Sequence, residues 1–159
     1  TFTNEKNLRG EFIKASEQFV NIRDSYNKIK IMQDNPSAAG DLSIIFSYMK
    51  ILDPPSTVRE GEQATAANAA GIPERVRNIY NKVMTGEKLT PDQRKDFIGQ
   101  ANNLYKTALK SHENDKKVYT KLANDYKVNS GRVVIDMIGG EEGKAVDEKQ
   151  RLINKYGLE

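Results

Sequence analysis

The feature that most constrains this chain is a seam near its start. Leu8, Phe12, Ala15, Phe19, Ile22, Tyr26 and Ile29 follow one another at alternating spacings of four and three residues, so on a helix they line one face. The heptad pattern predicts one helix from about Asn4 to Met32, on the order of 40 Å long at 1.5 Å per residue. A helix of that length with a single apolar stripe must find a partner helix to cover it.

A second long helix is the natural partner. Thr90-Pro91-Asp92-Gln93 supplies a cap, a proline at the first helical position and a glutamine at the third, which together mark a helix start. Phe97, Ala101, Leu104, Ala108, Tyr119, Leu122 and Tyr126 then recur mostly three or four apart. The polar stretch from Ser111 to Lys117 predicts an interruption of that seam or a bend.

Shorter helices fill the interval. Asp34-Asn35-Pro36-Ser37 breaks the first helix, because Asn and Asp favour turns and Pro cannot continue the hydrogen-bond ladder. Ala38, Leu42, Ile45, Phe46, Met49 and Leu52, widened by Ile44 and Ile51, predict a central core helix that Asp53-Pro54-Pro55 stops. Thr57-Val58-Arg59-Glu60 fits a capping box and predicts a third helix through the small residues Ala64 to Ala70, closed by a left-handed Gly71. Ile72-Pro73 opens a fourth, with Val76, Ile79, Tyr80, Val83 and Met84 on its apolar side, ending near Thr85-Gly86. Val133 to Ile138 reads as a helix turn or an edge strand, and Leu152, Ile153 and Tyr156 predict a last short helix.

The fold class expected is therefore all-α: an elongated helical bundle with two long amphipathic helices and three or four shorter ones. The division expected is a helical domain over 1–138, followed by a Gly/Glu-rich linker and a short C-terminal helix over 139–159. A chain of 159 residues buries roughly 70% of its unfolded surface and needs no metal or disulfide to hold together. Its 37% hydrophobic and 30% charged content, without tryptophan, suits long helices with one buried stripe better than a thick core.

Composition also narrows the function classes. With no cysteine there is no disulfide and no thiolate metal site, which fits either a cytosolic setting or an extracellular particle. No apolar run approaches the roughly 18 residues that cross a bilayer, and Thr1-Phe2-Thr3-Asn4-Glu5 is no signal peptide, so no transmembrane segment is expected. The opening without Met and the closing Leu158-Glu159 read as the ends of an excised or processed segment. The net charge of +3 comes from 25 basic and 22 acidic residues with both signs interspersed, the pattern of a mixed solvated surface.

Candidate chemistry is sparse. His112 is the one histidine, set among Lys110, Glu113, Asp115 and Lys116 on a face expected to be exposed, so no His/His metal pair can form. Glu60 and Glu62 form the one acidic pair that invites a sugar-cleaving reading, yet capping accounts for Glu60 and the flanking alanines offer no aromatic platform. Gly139-Gly140-Glu141-Glu142-Gly143 lacks the lysine-terminated spacing of a phosphate-binding loop, and its paired acids would repel phosphate, so it reads as a linker. No catalytic, cofactor-binding or metal residue is expected, and no cofactor. Lys106, Lys110, Lys116, Lys117, Lys121 and Lys127, interleaved with Tyr105, Tyr119 and Tyr126, form a basic series suited to weak non-specific contact with nucleic acid, with Lys110, Lys117 and Lys121 as the contacts. Glu113, Asp115 and Asp125 offset them.

One resemblance adds context. The stretch Gly40-Asp41-Leu42-Ser43-Ile44-Ile45-Phe46-Ser47-Tyr48-Met49-Lys50-Ile51-Leu52-Asp53-Pro54, followed by Ser56 to Glu62, then Ala69 to Asn78 and Gly86 to Arg94, resembles a segment of virion-associated proteins of tailed bacteriophages. It covers roughly the middle half of the chain. Such segments occur in large phage proteins of the DNA-ejection, internal-core or tail-tip type, some of which also carry peptidoglycan-cleaving domains. The resemblance implies a non-enzymatic helical module of the virion, delivered into the host envelope on infection. It also implies other virion proteins, and further copies of the chain, as partners. Phe12, Phe19, Ile22, Tyr26, Leu104, Leu122 and Tyr126 are the residues expected to carry packing or self-association. The alternatives are a soluble helical adaptor or regulatory protein that binds a partner helix, and a peptidoglycan-cleaving domain acting through Glu60.

Overall fold

A computed structural model describes residues 1–34 and 36–139. The fold is all-α, and no strand occurs among the described residues. Helix α1 spans Phe2–Met32, α2 Ala38–Leu52, α3 Glu74–Met84, α4 Pro91–Asp125 and α5 Ser130–Val133. The described residues divide into two compact units: residues 17–113, and residues 1–16 with 114–139. The final short helix expected around Leu152 to Tyr156, and the linker beyond Gly139, lie outside the described residues. None of the described helices is long and apolar enough to cross a membrane.

The larger unit is built around α2. Ser37 caps it, its hydroxyl oxygen accepting the Gly40 N–H at 3.0 Å. Ile44, Ile45, Tyr48, Met49 and Ile51 are all buried, so apolar residues face neighbours on more than one side, as a central core helix requires. α3 packs on α2 through Tyr80 and Val83, and Phe46 lies 6.1 Å from the Tyr80 ring. Phe97 of α4 meets Tyr48 at 5.0 Å. Thr90 starts α4 with a reciprocal capping box: its N–H donates to Gln93 Oε1 and its hydroxyl accepts the Gln93 N–H, both at 3.1 Å.

The smaller unit closes around Leu8, Ala123 and Val133, with Tyr119, Leu122, Val128 and Val134 packed against them. Phe12 is fully buried and meets Tyr119 edge-on at 5.6 Å. The Val133–Ile138 run resolves into the end of the single-turn α5 and an irregular stretch rather than a strand. Asn129 caps α5 by accepting the Gly131 N–H, and a lone β-branched run here has no second strand to pair with.

Two helices end in the same six-residue hydrogen-bonded motif with different residues at its left-handed position. After α3, Glu87 N–H reaches Lys82 O and Gly86 N–H reaches Val83 O, both at 3.1 Å, with Gly86 at φ 112°. After α4, Val128 N–H reaches Ala123 O at 2.9 Å and Lys127 N–H reaches Asn124 O at 3.0 Å, with Lys127 at φ 55°. Val128 also packs against the buried cluster that contains Ala123.

The predicted third helix does not form. Residues 53–73 run as a chain of turns, and Gly71 is not left-handed; Gly61 is, at φ 85°. The reach-back belongs to Glu62, whose carboxylate accepts the Arg59 N–H at 3.0 Å, two residues later than the Thr57/Glu60 box. Thr65 and Asn68 make a second reciprocal turn, the Thr65 N–H donating to Asn68 Oδ1 at 2.7 Å. Side chains that bond nearby backbone in this way compete with helix formation, and they outweigh the alanines between them.

Candidate functional site

In the larger unit the α1 and α4 seams meet as a ladder of rings. Tyr26 stacks on Tyr105 at 4.3 Å, Phe19 lies 6.2 Å from Tyr105, and Phe19 stacks almost parallel on His112 at 4.2 Å. Tyr26 also donates its hydroxyl to Asn102 Oδ1 at 2.7 Å. His112 is 2% exposed, which corrects its expected place on a solvated face. Its ring fills the seam where the charged letters around it predicted an interruption, and α4 runs through unbroken.

That correction shifts the register of the α4 seam by one residue. The buried positions are Phe97, Ala101, Tyr105 and His112 in the larger unit and Ala123 in the smaller, whereas Leu104 and Leu122 are half-buried on its flank. Tyr126 is 53% exposed and packs no seam, because α4 ends at Asp125 and the chain turns at Lys127. Phe12, Phe19, Ile22 and Tyr26 are buried, whereas Ala15, expected in the same seam, is exposed and Ser16 takes the buried place.

The polar centre of the larger unit is an ion pair that sequence reading missed. Asp41, in the first turn of α2, and Arg94, in the first turn of α4, form a charge-assisted hydrogen bond with side chains 5% and 12% exposed. Asp41 also accepts the Leu89 N–H at 3.1 Å. The other arm of the guanidinium donates to Met32 O and, at 3.0 Å, to Gln33 O. One arginine thus ties the end of α1 and the starts of α2 and α4 together, satisfying carbonyls that a helix terminus leaves open. A cavity of about 510 Å³ adjoins the pair, lined also by Asp34, Pro36, Lys88, Leu89, Pro91, Lys95 and Ile98. The available signal was Asp41 lying in a strongly apolar helix.

The irregular stretch between α2 and α3 is held by side chains from both. Lys50 donates to Ser56 O, and Ser56 Oγ donates to Asn68 O at 3.2 Å. The Asn81 amide grips Ala64 twice, accepting its N–H at 2.8 Å and donating to its carbonyl at 2.9 Å. The buried Tyr80 hydroxyl accepts the Gly61 N–H at 3.1 Å and donates to Glu62 O at 2.9 Å. Burial pushes that hydroxyl above its ordinary value of 10.0; the Gly61 N–H opposes the shift, and the Glu60 and Glu62 carboxylates add to it. Glu60 is exposed at the tip, and the Glu62 carboxylate is engaged with the Arg59 backbone.

Lys110, Lys117 and Lys121 are all exposed on α4, Lys121 in an ion pair with Asp125 at 3.1 Å. Among the described residues no group of three or more His, Asp or Glu side chains lies close enough to hold a metal ion. Comparison with family models, with curated proteins and with solved structures gives no match.

Proposed function

We propose that this chain is a non-enzymatic structural module of a tailed-phage virion. It packs among other virion proteins or copies of itself and helps the DNA pass through the host envelope. The observation that carries this reading is the use to which the phage-like stretch puts its polar residues. Asp41, Arg94, Glu62, Asn68 and Tyr80 all lie within or between its segments, and each is spent on the chain's own backbone or on another of the set. A stretch whose polar groups are consumed in holding helices and turns supports a scaffold more than a reactive cleft.

The test is the composition of purified particles. Mass spectrometry and antibody labelling of particles banded by density should find the chain at a fixed copy number. A chain found only in the lysate, and never in particles, would sink the proposal. Peptidoglycan release by the purified chain that vanishes in Glu60→Gln would replace it with the sugar-cleaving reading.

A further inference from the structure

The cavity beside the Asp41–Arg94 pair lies wholly within residues 17–113, where the tail of α1 meets the starts of α2 and α4. Pro91, Arg94, Lys95 and Ile98 all line it, and their spacing of three or four residues puts them on one side of α4 over about two turns. Three basic and two acidic side chains line the cavity, one positive charge in excess. Arg94 and Asp41 are spent on each other and on nearby backbone. Lys88 and Lys95 are exposed, and neither makes an ion pair among the described residues. The same lining offers apolar surface from the buried Leu89, the half-buried Ile98 and Pro91.

From this lining we infer that the cavity binds a small organic monoanion, a carboxylate on a short apolar body. Lys88 and Lys95 would hold the carboxylate, and Leu89, Pro91 and Ile98 would receive the body. The volume of about 510 Å³ falls within the roughly 300–1,000 Å³ of small-molecule sites, which combine apolar walls with a few polar groups in the same way. A docked helix or strand needs an elongated groove, whereas this space is walled by the ends of three segments. Inorganic phosphate would leave the apolar wall unused, and its second negative charge would meet Asp34 in the lining. The lysines, and not the helix start, supply the charge: the Gln93 N–H is already taken by the Thr90 hydroxyl and the Leu89 N–H by Asp41. The inference goes beyond the virion reading and does not depend on it.

The experiment titrates the whole chain with sodium phenylbutyrate at low salt and follows two-dimensional amide NMR spectra. Peak shifts should saturate with a dissociation constant of about 1 mM or below, and they should gather on the cavity lining around Leu89 and Ile98. Changing Lys88 and Lys95 together to Gln should weaken binding about fivefold or more, the loss expected of two partly solvated ion pairs. Changing Lys106 and Lys110 to Gln instead should leave it unchanged, since both are exposed on the same helix and outside the cavity. The uncharged phenylbutyramide should bind about fivefold or more weakly than the acid. Absence of saturable shifts up to about 20 mM would overturn the inference, as would a Lys88/Lys95 variant that binds as well as the parent. An amide that binds as well as the acid would do the same. Tighter binding of inorganic phosphate or phenyl phosphate than of phenylbutyrate would overturn it too, in favour of a phosphate site. None of these results bears on the particle-composition test.

Discussion

Arg94→Met removes the guanidinium while keeping most of its aliphatic length, and the consequence can be worked through the groups it leaves behind. Asp41 would remain at 5% side-chain exposure with the Leu89 N–H, at 3.1 Å, still donating to it. Breaking a buried pair from one side typically costs about 3–5 kcal/mol, because a desolvated charge is left uncompensated. The carbonyls of Met32 and Gln33 lose a donor as well, but they sit at a helix end that water reaches, so their share is small. For a chain of this size the melting temperature should fall by roughly 6–20 °C. Asp41→Leu combined with Arg94→Met removes both charges and should recover most of the loss, since apolar replacement of a whole buried pair is often neutral. Urea denaturation followed by far-UV circular dichroism of the parent, both single variants and the double gives the coupling energy directly. A single Arg94→Met variant within about 0.5 kcal/mol of the parent, or a double variant worse than either single, would refute the reasoning.

Three further outcomes follow from particular positions. Lys127→Gly should stabilise the chain by about 1 kcal/mol, because Lys127 holds a left-handed φ of 55° that glycine adopts at no steric cost; an unchanged urea midpoint would contradict this. Gly71→Ala should destabilise it by about 1–3 kcal/mol, since the added carbon would stand 2.5 Å from Asp53 Oδ2, and Asp53→Ala in the same chain should restore most of the loss in thermal melts. Stability should hold up to about pH 10 and fall above it. The Tyr80 hydroxyl keeps its proton to higher pH folded than unfolded, so the stabilisation is full below the unfolded value and lost as pH rises through the folded one. Tyr48 and Tyr119, both raised chiefly by burial, act in the same direction, so Tyr80→Phe should shallow the alkaline limb of a pH series of urea midpoints without abolishing it.

What was legible in the sequence depended on whether a single physical signal governed each segment. Along α1 the four–three spacing buries Leu8, Phe12, Phe19, Ile22, Tyr26 and Ile29 as it required, except that Ala15 is exposed and Ser16 beside it is buried. The Thr90/Gln93 box was equally clear because the cap, the proline and the glutamine agree. His112 was obscured because its polarity and that of its neighbours outweighed its position, seven residues from both Tyr105 and Tyr119. Between α2 and α3 the signals competed. Alanine and a Thr/Glu pair pointed to helix, while Gly61, Asn68 and the distant Asn81 pointed to turns, and the last of these acts across a sequence gap that no local pattern spans. The Asp41–Arg94 pair was out of reach for the same reason: its members are 53 residues apart, and each alone looks like an ordinary charge in a first helical turn.

The grip of Asn81 on Ala64 has a consequence for how this chain meets a protease. A protease must draw several residues into an extended strand across its cleft, and an exposed, glycine-containing stretch with Arg59 at its tip would ordinarily oblige. Here the strand cannot be drawn out until the amide of Asn81 lets go of both backbone groups of Ala64 and the Tyr80 hydroxyl releases Gly61 and Glu62. Cleavage after Arg59 is therefore gated by the loosening of α3 itself, and a stretch without helix or strand resists digestion for as long as its neighbour stays wound.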